Sequence, residues 1–118
     1  MKIFRYFKKS EFECKCGCGG NVEDKLIEKL DLARDIAGIP FIINSGYRCK
    51  KHNENVGGTD KSSHIKGLAV DIDINGSRDR FIVVDALLKA GFERIGVKYD
   101  DLLVHADIDE EKSRKVMW

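Results

Sequence analysis

The chain has 118 residues, 42% of them hydrophobic and 35% charged, with a formal net charge of +1 and a single proline. That is one domain with a real core, too short for two, and neither a disordered chain nor a Pro-rich linker. Acids and bases interleave without a basic stripe, which gives a nucleic-acid partner no support, and no apolar run reaches the length that spans a membrane.

The N-terminus, "MKIFRYFKKSEFECK", is basic but has no apolar h-region and no small-residue cleavage site, so it does not read as a secretory signal. Next comes "CKCGCGG". Cys14, Cys16 and Cys18 stand at C-x-C-x-C spacing, with Cys49 further on. Three states stay open for these thiols: a structural zinc site completed by Cys49, one or two disulfides, or reduced cysteines. Asn21 then reads as an N-cap. Val22, Leu26, Leu30, Ala33 and Ala37 follow at helical spacing, and Gly38 is the stop.

"FIINS" over 41–45 reads as a short strand, "GYRCKKHNENVGG" as a turn and short helix, and "TDKSSHIKG" as a polar loop. "LAVDIDI" alternates as a strand. Ser77 is positioned to cap the helix "RDRFIVVDALLKA", which Gly91 ends, and "RIGVK" and "LLVHADI" are two more strands joined by "YDD". The tail "DEEKSRKVMW" carries no assignment, and its Trp118 reads as a packing anchor. The expected fold is α+β: a single domain over 1–118, with a small antiparallel sheet backed by helices.

Alternate side chains of a strand share a face. In "LAVDIDI" positions 68, 70, 72 and 74 are apolar, while 71 and 73 are Asp; in "LLVHADI" the second face carries His105 and Asp107. If the two strands are neighbours, Asp71, Asp73, His105 and Asp107 gather on the exposed sheet face. His64 arrives from the preceding loop, which Gly67 lets approach closely. Two imidazoles and a carboxylate suit zinc with a position left open, the catalytic arrangement. Any one of these residues alone is more simply a solvated or satisfied polar group. Their coincidence on one face is what favours a site. A calcium loop is the rival, since "DIDING" matches its opening, but Ile82 stands where the pattern needs a bidentate Glu. His52 has no such placement and reads as an ordinary loop or helix residue.

The segments "SGYRC", "HNENVGG", "SSHIKGLAVDIDI" and "VHADI" resemble the M15 family of zinc D-Ala-D-Ala carboxypeptidases and related peptidoglycan peptidases, most of all the small branch often found in phages and prophages. The resemblance runs from about Ser10 to Ile108, and "SEFECKCGCG" shares in it. Its signature S-x-H-x-x-G-x-A-x-D with a distant His is matched by Ser62, His64, Gly67, Ala69, Asp71 and His105.

The resemblance implies that His64, Asp71 and His105 bind one zinc ion and that Arg48 pairs with a substrate carboxylate, a contact suited to a guanidinium fork. Ser62 would bond substrate or position its loop. The implied chemistry is amide hydrolysis in a peptidoglycan stem peptide by a chain that is monomeric by default, cytoplasmic until release and acting on the cell wall. The chain departs from the family at Leu102, where many members carry an acid three residues before the last ligand. Asp107 is therefore the expected proton acceptor, with Asp101 and Asp73 behind it, and Asp107 as an orienting partner is the other reading. The departure keeps two alternatives open: a non-catalytic zinc-containing binding module of the same fold, and an interaction domain centred on the cysteines.

Overall fold

The computed structural model describes residues 3–97 and 102–118; the "YDD" turn and Asp101 lie outside the described residues. After a 3-10 turn at Lys9–Phe12 come α1 (Asp24–Ala37), β1 (Ile42–Ser45), α2 (Lys50–Asn55), β2 (Ala69–Asp73), α3 (Ser77–Lys89), β3 (Arg94–Val97), β4 (Leu103–Asp107) and β5 (Val116–Met117). The five strands form one sheet in the order β1-β2-β4-β3-β5.

α1 buries Leu26, Ile27, Leu30 and Ala33, and α3 buries Val83, Ala86 and Leu87. These stripes meet each other and one face of the sheet, where Val70, Ile72, Ile95, Val104 and Ala106 complete the core. Burying one such Leu or Ile is worth roughly 1.5–3 kcal/mol, more than helix propensity supplies across a whole turn. Packing therefore decides where the helices lie, and it leaves the other sheet face for polar residues.

Two helix starts differ from the sequence expectation. α1 begins at Asp24 with Glu23 as N-cap, and Asn21 instead uses its amide to donate to Lys9 O (2.8 Å) and accept from Val22 N–H (2.7 Å). Ser77 is the first residue of α3 rather than its cap, which is Gly76. Gly38 ends α1 in the left-handed region as expected.

The sheet is mixed, not wholly antiparallel. β1–β2, β2–β4 and β3–β4 are antiparallel, but the unassigned tail returns as β5 and pairs parallel to β3. Trp118 N–H donates to Ile95 O (3.0 Å), and Val97 N–H donates to Trp118 O. These backbone bonds hold the indole at the sheet's polar face, a placement no periodicity in a two-residue strand could announce.

Candidate metal centre

The β2–β4 pairing sets Asp71 directly opposite His105, and Ala69 opposite Asp107. On the other flank β3 sets Gly96 opposite His105 and Arg94 opposite Asp107. Directly opposed residues in an antiparallel pair bring their Cβ atoms to about 5 Å, so short polar side chains can meet. His105 Nδ1 lies 2.9 Å from Asp71 Oδ1.

His64 reaches the same point from the loop before β2. Gly67 has φ of 73°, and a Cβ there would meet Asn21 O and Val22 Cα at 3.3 Å, so glycine is what lets this loop lie against the start of α1. The His64 carbonyl accepts from Arg48 N–H and Gly67 N–H, both at 3.2 Å, and Ser62 Oγ accepts from His64 N–H at 3.2 Å. The His64 ring is buried, with Nδ1 2.7 Å from Gly46 O. A carbonyl only accepts, so Nδ1 donates to it, and in the neutral tautomer Nε2 is an acceptor.

That nitrogen is the informative atom. His64 Nε2 is buried, has no hydrogen-bond partner among the described residues, and stands 3.3 Å from Asp71 Oδ2. Two acceptors facing each other in a buried setting repel unless a cation lies between them. Ligand atoms of His64, Asp71 and His105 all fall within 4.8 Å of one another. Two imidazoles and a carboxylate at such separations fit zinc.

The outer ring of His105 is equally ordered. Its Nε2 lies 2.7 Å from Asp107 Oδ2, and Asp107 Oδ1 accepts from Arg94 Nε (2.7 Å) and Asp109 N–H (3.1 Å). Asp107 is 1% exposed with both oxygens engaged. Burial alone would raise the pKa values of Asp71 and Asp107. The bond from His105 to Asp71, and the bonds from His105, Asp109 N–H and Arg94 to Asp107, outweigh it and hold both below the ordinary carboxylate range. Burial would lower the His105 pKa, and its two carboxylate neighbours raise it instead.

These groups line a cleft of about 420 Å³ together with Arg48, Ser62, Ser63, Lys112 and Trp118. Arg48 Nε is buried without a partner among the described residues. Trp118 packs against His105 at a tilt, ring centroids 5.5 Å apart, and the Arg94 guanidinium lies 5.0 Å from the indole centroid. Gly96 makes the room: a Cβ there would stand 3.0 Å from Trp118 and 3.1 Å from His105 Cβ.

Of the residues expected from the sequence, Arg48, Ser62, His64, Asp71, His105 and Asp107 line this cleft, while Asp73 is exposed at the end of β2 and is not among the lining residues. His52 lies in α2, away from the lining. Sequence reasoning missed Arg94, Trp118 and the tether of Ser63 and Lys66 to the buried Asp109, at 2.8 and 3.0 Å. Arg94 had a signal, since it alternates with core-facing Ile95.

No curated protein matches the chain. A family model, that of peptidase M15, matches residues 5–107. That span holds Arg48, the loop that carries His64, and both strands that oppose Asp71 to His105. The chain belongs to the peptidase M15 family, whose members are zinc-dependent metallopeptidases.

Proposed function

We propose that this chain hydrolyses a peptide bond in the stem peptide of peptidoglycan, as a D-Ala-D-Ala carboxypeptidase or a related endopeptidase, with one zinc ion held by His64 Nε2, Asp71 and His105 Nδ1. The observation that carries the metal is the buried His64 Nε2, unpartnered among the described residues and facing the Asp71 carboxylate. Bound zinc supplies Lewis acidity, bringing the pKa of water to about 7 and polarising a carbonyl.

The chain's own residues do the rest. Asp107, clamped by Arg94, accepts from His105 Nε2–H, fixes the ring's tautomer and leaves Nδ1 free to ligate. This orienting role is better supported than proton acceptance, because Asp107 has neither solvent access nor a spare oxygen. Asp101 is then the carboxylate to test for taking and returning the proton. Arg48 lines the cleft with its buried Nε unpartnered among the described residues, and its guanidinium is suited to the carboxylate of a stem peptide.

The test is to incubate the purified chain with stem peptides in the presence of zinc, then with a chelator. Zinc-dependent release of an amino acid or peptide, lost in His64→Ala and His105→Ala, is the expected result. Leu102, apolar and exposed where many members carry an acid, favours the second reading of a binding module. Tight zinc and stem-peptide binding with no cleavage of any such peptide would establish the module and overturn the peptidase.

A further inference from the structure

The second cluster of ligand atoms lies apart from the cleft. The Sγ atoms of Cys14, Cys16, Cys18 and Cys49 all fall within 4.8 Å of one another, and all four cysteines are free thiols. Cys14 Sγ is 3.3 Å from Cys16 Sγ, which is 3.5 Å from Cys49 Sγ. Tetrahedral zinc with Zn–S near 2.3 Å sets neighbouring sulfurs about 3.8 Å apart, whereas a disulfide needs about 2.05 Å. Three thiols converging on a fourth from a distant segment have the spacing of a metal cage rather than of one bridge with two spectators.

The backbone is already arranged for anionic sulfur. Cys49 N–H donates to Cys14 Sγ and His52 N–H donates to Cys49 Sγ, both at 3.4 Å. Lys15, Lys50 and Lys51 adjoin the ligands in sequence.

We infer that Cys14, Cys16, Cys18 and Cys49 bind a second, structural zinc ion that fastens the N-terminal loop to the segment Gly46–Cys49. Four sulfurs fill a tetrahedron and leave no position for water, so this ion takes no part in hydrolysis. Each ligating thiol releases its proton to solvent on binding. The fastened segment matters to the cleft. Gly46 O orients the His64 ring, and Arg48 N–H holds the His64 carbonyl. The same segment rests on the N-terminal turn through Tyr47 N–H to Phe12 O (2.9 Å), with the Gly46 backbone tight against Phe12. The cage thus holds the base of the loop that aims one ligand of the first metal.

The experiment is metal analysis of the full chain purified under reducing conditions with zinc, then exchange into cobalt(II). Two zinc ions per chain are expected, falling to one in His64→Ala. A mercurial that titrates the thiols should release one of the two. Cobalt-loaded His64→Ala should show intense sulfur-to-cobalt charge-transfer absorption with tetrahedral visible bands. A single zinc per chain that His64→Ala abolishes overturns the inference, as does a cobalt spectrum without thiolate charge transfer. So does a disulfide found by mass in the chain purified with zinc. Because a Cys16→Ser variant can fail to fold, the spectrum of the His64→Ala chain carries the decision. This outcome is independent of whether the cleft cuts any peptide.

Discussion

At the scale of single residues, the cleft separates groups that could hold a metal, groups that hold those groups, and groups proposed for substrate. Arg48 belongs to the last set, since its buried Nε has no partner among the described residues. Arg48→Ala should lower kcat/KM for peptides with a free C-terminal carboxylate by about 10- to 100-fold, the worth of a charged hydrogen bond of about 1.5–3 kcal/mol. Peptides with an amidated C-terminus should hardly change, and a comparison of the two substrates checks this. Asp107→Asn should weaken zinc binding about 10- to 100-fold, measured by chelator competition, because it removes the acceptor that orients His105. Asp101→Asn should leave zinc affinity intact and lower kcat. The reverse pattern would return Asp107 to the role of proton acceptor that its strand position alone suggests.

At the scale of elements, the centre exists because β2, β4 and β3 lie side by side in one register. The alternation in "LAVDIDI" and "LLVHADI" made the polar face legible, but not that Asp71 and His105 are directly opposed. Register is a pairing between segments over thirty residues apart, and neither segment encodes it locally. Gly96→Ala probes it from the third strand. The added methyl would crowd Trp118 and His105 together, so activity should fall several-fold while overall stability, read from urea unfolding, changes by only about 1 kcal/mol. Gly46→Ala is the sterner case. Its Cβ would lie 2.5 Å from the Phe12 carbonyl oxygen, a backbone atom with no room to yield, and a loss of about 2–4 kcal/mol is expected.

At the scale of the whole molecule, the helices and sheet form a conventional core, and the extra order comes from ties across the polar face. Asp109 is one such tie: buried, bonded to Ser63 and Lys66, it joins the tail to the loop that carries His64. Burial raises its pKa, but these bonds outweigh that and hold it below the usual range. A carboxyl whose folded pKa lies below its unfolded value of about 3.9 stabilises the fold above that pH, and the contribution fades as pH falls through the folded value. The stability gap between the wild-type chain and Asp109→Asn should therefore be full near neutrality and shrink below about pH 4, as acid titration of urea unfolding would show. Zinc should add to the same balance. At 100 times its Kd, a ligand that binds only the folded chain contributes about 2.7 kcal/mol, a rise in Tm of roughly 10 °C that a chelator should reverse.

By itself the sequence determined the fold class, most of the elements, the division of two strands into a core face and a polar face, and the residues from which a metal centre could be drawn. Those are local properties, written in periods of two and 3.6 and in the residue types a cation needs. The tertiary structure alone decided the meetings. It set His64 Nε2 against Asp71, bound Asp107 to Arg94, brought Cys49 to three thiols from another loop, and returned Trp118 to the edge of the cleft through a parallel strand too short to announce itself. Each is a contact between segments far apart in the chain, fixed by core packing and backbone pairing rather than by the sequence pattern of either partner.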